Sequence, residues 1–414
     1  MKRSYRWRFI IIATAALAAF AYKYATMTTP WVTISTTFAK TDKPYGGGDF
    51  HIRGNDVISL KLADPETPFK PMAEWKNPDV AEHTEAWMDN SGERLNRGTV
   101  RFLRGTLSTG LTRTFEQRAQ DAAWWYSKNW QNIYVSTGWM DYKVDLPLNA
   151  LAPQITKLWQ SKDSGTTWTQ LPWPENQNID RLLFLDAQRG YAIGWGPHIW
   201  RTSDGGQSWQ PVKLPPLLDF PATSRRTFDA VNLGPDGMLR VAYYVQRLGD
   251  IQTSSLVYQL AWAQPDFTLD MVLPQQTVAD LQTDDIATGQ GYKVYALTRL
   301  GPPRDYNDST DKGHRTGALS SWSADHHQAT ATQLQTFNAR LTLNGLSVGR
   351  QGVMLVYTTD ASDKGIPHDL TLLSKDAGKS WDELNDGMAQ GGYFDPETNT
   401  QYGLYAYSLK KRIF

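Results

Sequence analysis

The sequence contains no cysteine among its 414 residues. This absence excludes disulfide bonds, thiolate catalysis, cysteine-ligated metals and a lipid-modified N-terminal cysteine. Net charge is lacking too, because 42 basic residues balance 42 acidic ones. A surface that binds nucleic acid needs a concentrated basic face, and nothing in the sequence indicates one.

Long amphipathic helical segments are also scarce. The best helix candidate is Phe115–Asn129, which we expect to be an insertion between strands or a cap on the fold. Aromatic residues are abundant instead, with 17 tryptophans and 19 tyrosines. Large rings suit stacked β-sheets, and the scattered 32 glycines and 22 prolines suit turns between short strands. The composition therefore favours an all-β fold.

Three segments of the sequence are near copies of one another: Ser161–Trp168, Thr202–Trp209 and Ser374–Trp381. They share the pattern Ser/Thr-x-Asp-x-Gly-x-Ser/Thr-Trp, and each follows a short apolar stretch. The aspartates, glycines and tryptophans of this pattern are Asp163, Gly165, Trp168, Asp204, Gly206, Trp209, Asp376, Gly378 and Trp381. We expect each aspartate to accept hydrogen bonds from turn N–H groups, each glycine to allow a positive φ, and each tryptophan to bury its ring.

Two interpretations of the repeated aspartates are open. One makes them catalytic or metal-binding, and the other makes them parts of a structural hairpin. Recurrence favours the structural interpretation, because a catalytic residue is needed once whereas a fold element recurs. We therefore assign no catalytic, cofactor-binding or metal-binding residue. The pattern resembles the Asp-box, also called the bacterial neuraminidase repeat, and this resemblance implies a β-propeller.

The spacing of the repeated aspartates bears on the architecture. Asp204 follows Asp163 by 41 residues, and Asp376 follows Asp204 by 172, which equals four steps of 43. A period of roughly 40–50 residues is that of a four-stranded propeller blade. We predict a single propeller over residues 49–414, with six to eight blades and seven as the central value. Strand-like runs lie between the second and third repeats at 238–245, 256–262, 292–297 and 352–357.

A ring of blades needs its first and last strands to meet. We expect a strand within Phe50–Leu62 to pair with the C-terminal run Gln401–Ser408, which would remove the free sheet edges. Two polar excursions, residues 63–97 and Gly301–Gly317, interrupt the strand pattern, and long loops of this kind are often functional. Residues 23–48 are interpreted as a polar linker in front of the propeller.

The N-terminus has the pattern of an export leader. Four basic residues within the first eight positions precede the apolar run Phe9–Tyr22. The 14 residues of this run suit the core of a signal peptide better than a membrane span, which needs about 20. We interpret residues 1–22 as a signal peptide with a cleavage site at Ala19–Ala21, or as an uncleaved signal anchor. Either interpretation places the folded body in the periplasm, soluble after cleavage or anchored in the inner membrane by residues 9–22.

The second repeat has the strongest local resemblance to a known family. Phe184, Asp186, Gly190 and Tyr191 lead into the repeat segment in one continuous pattern. This stretch of about 26 residues resembles the repeat of the photosystem II assembly and stability factor family, whose members are propellers that bind proteins. The resemblance implies a blade and does not specify a function.

Sialidases are also Asp-box propellers, and their reaction needs an arginine cluster, a tyrosine nucleophile and carboxylates. Four arginines are candidates for meeting at the ring centre: Arg53, Arg225, Arg226 and Arg240. The run Phe50–Arg53 lacks the proline of the family's Arg-Ile-Pro signature. Tyrosines and glutamates are too numerous for one pair to be singled out. A sialidase-like site is therefore an alternative without assigned residues.

Two further residue sets have open interpretations. The histidines His314, His326 and His327 lie near several aspartates, but zinc sites need fixed spacing on rigid elements, so we expect a loop without metal. The run Trp124–Tyr126 with Trp130 is either an exposed recognition platform or core packing, and the size of the rings favours the core.

Taken together, these patterns favour an exported, non-enzymatic propeller that binds another protein in the periplasm. The protein partner would be a secreted toxin that an inhibitor or immunity protein neutralises, such as a type VI lipase effector, or the client of an assembly factor. A sialidase-like glycoside hydrolase or a carbohydrate-binding propeller is the alternative from a different class, and an outer-membrane assembly scaffold is a third interpretation. We expect no cofactor and no nucleic-acid partner.

Overall fold

Nearly all of the chain that can be described consists of β-strands. The computed structural model describes residues 32–35, 49–63, 99–119, 121–140, 154–173, 179–194, 198–215, 228–246, 253–284, 291–300, 316–324, 331–339, 341–360, 368–384, 392–405 and 408–414. Within these ranges the chain forms 28 strands and one short 3-10 turn, Arg350–Gly352. The leader 1–22 and most of the excursions 63–97 and 301–317 lie outside the described residues.

The strands form seven antiparallel sheets of four strands each. Blade 1 contains β2 (Asp49–Arg53), β3 (Asp56–Ala63), β4 (Thr99–Thr106) and β5 (Gly110–Arg118). Blade 2 contains β6 (Asp121–Tyr126), β7 (Ile133–Met140), β8 (Gln154–Ser161) and β9 (Thr169–Leu171). Blade 3 contains β10 (Ile179–Phe184), β11 (Gly190–Gly194), β12 (His198–Thr202) and β13 (Gln210–Pro211).

The remaining four sheets complete the ring. Blade 4 contains β14 (Ala230–Leu233), β15 (Met238–Gln246), β16 (Thr253–Ala261) and β17 (Thr268–Pro274). Blade 5 contains β18 (Gln276–Asp284), β19 (Lys293–Leu300), β20 (Gly317–Ser323) and β21 (Thr332–Phe337). Blade 6 contains β22 (Leu341–Val348), β23 (Met354–Asp360), β24 (His368–Ser374) and β25 (Asp382–Leu384). Blade 7 contains β26 (Gly392–Asp395), β27 (Thr400–Tyr405), β28 (Ser408–Ile413) and the N-terminal strand β1 (Val32–Ser35).

This architecture is a seven-bladed β-propeller, which confirms the fold predicted from the sequence. The first strands of neighbouring blades pack against each other, as in the pairs β6 with β10, β14 with β18, β18 with β22, and β2 with β26. The first strands therefore surround the centre of the ring, and the fourth strands lie at its rim. The four strand-like runs predicted between the second and third repeats correspond to β15, β16, β19 and β23.

The hydrophobic core is divided among the seven interfaces between blades. Seven clusters of buried side chains are present in the described residues, and each joins two adjacent blades. Tyr295 and Leu297 of blade 5, for example, share a cluster with Leu343 and Leu346 of blade 6. A chain of this length avoids the limit on the size of a single core because every blade packs only on its neighbours.

The ring closes through strand β1, and here the sequence prediction was wrong. Strand β1 pairs antiparallel with β28, with Val32 opposite Lys411, whereas β2 pairs with β3 of its own blade. The closing strand therefore lies inside residues 23–48, which the sequence analysis interpreted as a linker. Strand β1 has a bulge between Thr33 and Ser35, and Ile34 at this bulge packs against the core that contains Leu409.

The number of blade steps between the second and third repeats also differs from the prediction. Asp204 lies in blade 3 and Asp376 in blade 6, so the 172 residues between them span three steps rather than four. The mean step is about 57 residues. Long connections, such as residues 301–315 between β19 and β20, lengthen these blades beyond the ordinary period.

The predicted helix Phe115–Asn129 is wrong as well. Its residues form the end of β5, the strand β6 and the turn that follows. In β6, Trp124 faces the core with blade 1 while Trp125 packs against Phe184 of blade 3. A strand between two blades presents large rings on both faces, so tertiary packing overrides the helical propensity of the alanines and glutamines.

The three repeat segments are turns between the third and fourth strands of blades 2, 3 and 6. In each turn the aspartate carboxylate accepts hydrogen bonds from the N–H and the hydroxyl of the residue four positions later. For Asp163 the donors are Thr167 N at 2.8 Å and Thr167 Oγ1 at 2.6 Å. These bonds hold the pKa of Asp163 at about 2, and the equivalent bonds from Ser380 hold that of Asp376 at about 2.

The glycine and the tryptophan of each repeat turn fix its contact with the preceding blade. Gly165 has a φ of 82°, and a Cβ there would lie 2.2 Å from the ring of Phe102 in blade 1. The ring of Trp168 lies 4.6 Å from that of Phe115, also in blade 1. Trp209 contacts Trp173 at the end of blade 2 in the same way, at 5.3 Å. The repeat turns therefore tie adjacent blades together.

The connections divide between the two faces of the ring. In an antiparallel meander, the links between strands 1 and 2 and between strands 3 and 4 emerge at the same end of the sheet. We call this end the turn face; it carries the three repeat turns, the start of β1 and the end of β28.

Among the described residues, none belongs to a helix long and apolar enough to span a membrane.

Candidate functional site

The first strands of the blades bring two groups of side chains to the centre of the ring. On one side, blades 7, 1 and 2 contribute aromatic residues. On the other side, blades 3 and 5 contribute an arginine and a carboxylate, which pack on blades 4 and 6. Because inner strands of propellers surround the central channel, these two groups form the candidate functional site.

The aromatic cluster consists of His51 on β2, Trp124 and Tyr126 on β6, and Tyr393 on β26. The His51 ring lies 5.1 Å from Trp124, 4.5 Å from Tyr126 and 4.3 Å from Tyr393. His51 Nδ1 and the hydroxyl of Tyr126 share a hydrogen bond of 2.6 Å. The rings are half-buried, so the cluster combines packing between blades with an accessible edge.

Burial sets the charge of the aromatic cluster. It lowers the pKa of His51 to about 3, so the imidazole is neutral at physiological pH. Burial also raises the pKa of Tyr393, which keeps its hydroxyl protonated. The cluster therefore offers uncharged rings with polar tips, a surface suited to an apolar side chain, a peptide segment or the face of a sugar.

Strand alternation positions each ring of this cluster. In β2, Phe50 and Ile52 point into the core between blades 7 and 1, which leaves His51 on the opposite face. In β6, Trp124 and Tyr126 share one face because they are two residues apart. Trp124 therefore also packs against the core between blades 1 and 2, as the sequence analysis favoured, and Trp130 is buried as well.

The polar group on the other side consists of Arg181 on β10 and Asp280 on β18. Asp280 Oδ2 accepts a 2.8 Å hydrogen bond from the N–H of Leu346 in blade 6, and Oδ1 accepts one of 2.8 Å from Leu281 N–H. Arg181 Nη1 donates to the carbonyl of Val231 on the first strand of blade 4, at 3.2 Å. Arg181 thus lies over blade 4; its Nε is 3.8 Å from Asp180 Oδ2, and its charge also acts on Asp280.

Burial raises the pKa of Asp280, although its two backbone hydrogen bonds and the charge of Arg181 oppose the rise. The strands are irregular at this point: β18 has a bulge between Val278 and Asp280, and β22 has one between Leu343 and Gly345. Bulges re-aim side chains, and they are frequent next to functional sites. A buried carboxyl with a raised pKa can exchange a proton or bind a polar group.

The structure does not gather the four candidate arginines at the centre. Arg53 is exposed beside the turn between β2 and β3. Arg240 is fully buried, where its guanidinium pairs with Asp236 at 2.6 Å and Asp270 at 3.4 Å. Arg225, Arg226, His314, His326 and His327 lie outside the described residues.

The network around Arg240 joins blades 4 and 5. Arg240 Nη1 donates to Thr283 of β18 at 3.1 Å, and Asp270 accepts from the indole N–H of Trp322 on β20 at 3.1 Å. The ion pairs and hydrogen bonds of this buried guanidinium are made to residues of blades 4 and 5. Arg240 is therefore part of the blade interface rather than of a substrate site.

The nine repeat residues lie in three separate turns and do not converge on one site. Within the ranges that the structure describes, no group of three or more histidine, aspartate or glutamate side chains is arranged to hold a metal. Sequence reasoning missed His51, Tyr393, Arg181 and Asp280. A histidine between two apolar residues of a strand is a weak signal, and the two bulges that place Asp280 leave no readable pattern.

Comparison with known proteins identifies no family. The sequence matches no protein-family model and no curated protein. The solved structures that resemble it include YCF48 bound to D1 peptide, with 11% identity and a TM-score of 0.44 over 77% of this chain and 90% of that chain. YCF48 from Cyanidioschyzon merolae matches with 11% identity and a TM-score of 0.44, over 78% of this chain and 93% of that one.

A glycoside hydrolase gives a match of similar strength. The GH74 xyloglucanase of Xanthomonas campestris has 12% identity and a TM-score of 0.49, over 92% of this chain and 53% of that chain. This chain therefore spans about half the length of that enzyme. Similarities at these identities and TM-scores carry no argument about function, and the propeller fold stands on the sheet topology described above.

Proposed function

We propose that this chain is an exported, non-enzymatic β-propeller that binds another protein in the periplasm. The observation that carries the proposal is the half-buried aromatic cluster that three blades contribute at the centre of the ring. Tyrosine and tryptophan are enriched where proteins bind one another, because they bury large areas at a low cost in side-chain entropy. The leader pattern of residues 1–22 supports the export part of the proposal.

Charged groups beside the cluster fit a polar rim around an apolar centre. Lys128 follows β6 by two residues and pairs with Glu397, which follows β26 by two residues. This ion pair joins the turns of blades 2 and 7 across blade 1 on the turn face. The side chains are 81% and 47% exposed, respectively, so both can be reached by a partner. Interfaces commonly surround an aromatic centre with such groups.

We propose two classes of protein partner. The first is a secreted toxin, such as a lipase effector, that this chain neutralises as an inhibitor or immunity protein. The second is a client that it helps to assemble. Both require export and a complementary surface without catalysis. The relation of the repeat turns to the Asp-box, and of the second repeat to photosystem II assembly factors, stays a prediction.

The test is affinity capture of the tagged chain from the envelope of its own organism and of co-cultured neighbours, read by mass spectrometry. We expect one stoichiometric protein with the wild type and at least a tenfold lower recovery with Tyr393→Ala, since roughly 1.4 kcal/mol of lost contact gives that factor. Val272→Ser, an exposed position on blade 4, is the matched control and should recover the partner fully. Equal recovery with Tyr393→Ala, or no partner at all, would reject the proposal.

A carbohydrate-directed function is the second candidate, and Asp280 favours it. A carboxyl whose pKa is raised by burial has the property required of a general acid in glycoside hydrolysis. This candidate predicts hydrolysis of some member of a panel of aryl glycosides and sialosides, and loss of that hydrolysis in Asp280→Asn with the fold intact by circular dichroism. No hydrolysis by the wild type and no binding on a glycan array would remove it.

A further inference from the structure

Exposed apolar side chains are unevenly distributed over the described surface. The large hydrophobic residues that are exposed there are Val32 and Ile413, both 54% exposed, and Val272, 43% exposed. Val32 and Ile413 lie on β1 and β28, the two outer strands of blade 7. Val272 lies on β17 of blade 4, three blades away around the ring.

The register of β1 against β28 places a lysine between the two apolar residues of blade 7. Val32 is directly opposite Lys411, so the two side chains point to the same face of the sheet. Ile413 is two residues beyond Lys411 and shares that face. All three lie where β1 begins and β28 ends, which is the turn face. We call Val32, Lys411 and Ile413 the blade 7 patch.

Two acidic side chains, Asp395 and Glu397, lie at this end of blade 7, and Asp395 accepts hydrogen bonds from the N–H of Glu397 and the hydroxyl of Thr398. Glu397, in the turn between β26 and β27, is engaged by the ammonium of Lys128. The patch therefore combines two apolar side chains with a basic one. This combination suits a bilayer surface, where apolar groups reach the acyl-chain boundary and lysine meets anionic headgroups.

The sequence in front of the patch contains the apolar run of the leader. The apolar run of the leader ends at Tyr22, and nine residues separate it from Val32. Nine residues reach at most about 30 Å when fully extended. The part of the propeller that lies nearest to the leader along the chain is therefore the blade 7 patch. Where the leader is the uncleaved signal anchor, so short a tether holds this patch at a high effective concentration beside the bilayer.

We propose that the blade 7 patch rests on the periplasmic surface of the bilayer that the leader enters. Val32 and Ile413 contact the acyl-chain boundary, and Lys411 binds anionic headgroups. The turn face at blade 7 then lies toward the membrane. This inference rests on the export part of the proposed function, with the leader retained as a signal anchor, but not on the identity of the protein partner.

The absence of cysteine makes the test direct, because one introduced cysteine takes one label. Val32→Cys, Ile413→Cys and the control Val272→Cys each receive an environment-sensitive nitrobenzoxadiazole label on the chain as isolated from the envelope. Vesicles of phosphatidylethanolamine and phosphatidylglycerol are then added. We expect a blue shift and a roughly twofold rise in emission at positions 32 and 413, and no change at 272.

A second variant tests the headgroup contact. Lys411→Glu, combined with each label, should abolish the response to anionic vesicles, and vesicles of phosphatidylcholine alone should give a weaker response with the parent chain. An equal response at all three labelled positions, or none at 32 and 413, would overturn the proposal. The vesicle readout needs no partner protein, whereas partner capture is done in detergent without a bilayer, so either proposal can fail alone.

Discussion

The repeat turns differ at one residue in a way that has a consequence for stability. The residue between the aspartate and the repeated glycine has a positive φ in all three turns: 60° at Ser164, 69° at Gly205 and 60° at Ala377. Only glycine adopts this conformation without a steric penalty on its Cβ. Two of the three turns therefore carry strain that the second turn avoids.

Relief of this strain gives the first prediction. Ala377→Gly is expected to raise the free energy of unfolding by about 0.5 kcal/mol, because the gain in the folded turn exceeds the added freedom of the unfolded chain. The reverse change, Gly205→Ala, should lower it by about 1 kcal/mol, since its Cβ would also lie 3.0 Å from the carbonyl oxygen of Ala187. Urea denaturation measures both, and a destabilised Ala377→Gly would contradict the argument.

The repeat carboxylates predict a dependence of stability on pH. Hydrogen bonds from Thr167 hold the pKa of Asp163 at about 2, below its ordinary value. The ionised carboxylate therefore stabilises the fold fully above about pH 4, and this contribution is lost as the pH falls toward 2. In Asp163→Asn the difference in thermal midpoint from the wild type should be largest at neutral pH and shrink through that range. A difference in thermal midpoint that stays constant down to pH 2 would refute the stabilising role of the ionised Asp163 carboxylate.

At the scale of the secondary-structure element, the decisive strand is β1. It is four residues long, yet it supplies the fourth strand of blade 7 and one side of the core between blades 7 and 1. Ile34 is the residue of β1 that packs into this core, whereas Val32 on the same strand is exposed. The strand thus offers a matched pair of positions for testing ring closure.

The substitution Ile34→Asp should open the ring at this seam. It places a charge against Phe50 and Leu409, and we expect a loss of about 2–4 kcal/mol in the free energy of unfolding. Val32→Asp, the control on the same strand, should change it by less than about 0.5 kcal/mol. Chemical denaturation followed by circular dichroism distinguishes the two. Equal effects at both positions would show that β1 does not hold the seam.

At the scale of the whole molecule, seven inter-blade cores form a closed circuit. Every blade shares buried residues with the blade before it and the blade after it. Because no blade has a free face, we expect the loss of packing at one interface to lower the stability of the whole ring. The described tryptophans are concentrated in blades 2 and 3, so their fluorescence reports on one side of this circuit.

Cooperativity around the ring is tested by a substitution on the opposite side. Leu319→Ala removes a fully buried side chain from the interface of blades 5 and 6, and we expect it to cost about 2–5 kcal/mol. Tryptophan fluorescence and far-ultraviolet circular dichroism should shift to lower urea together. A fluorescence transition that stays at the wild-type midpoint would show instead that blades 2 and 3 unfold independently.

The sequence by itself determined the repeat turns and strand runs of this protein and, through them, its fold class. The geometry of a repeat turn depends on contacts within eight residues, from Ser161 to Trp168, so the pattern alone predicts it. Turn glycines and the strand runs between them are local in the same sense. Their repetition was sufficient to predict a propeller of about seven four-stranded blades.

Only the tertiary structure decided which strands meet. Ring closure joins Val32 to Lys411 across nearly the whole chain, and the count of blades between Asp204 and Asp376 depends on connections of irregular length. The two groups of the candidate functional site also depend on tertiary contacts. Closure of the ring brings His51 to Tyr393, and two bulges bring Asp280 to Leu346. Such contacts depend on register and on neighbours hundreds of residues away, so no local pattern specifies them.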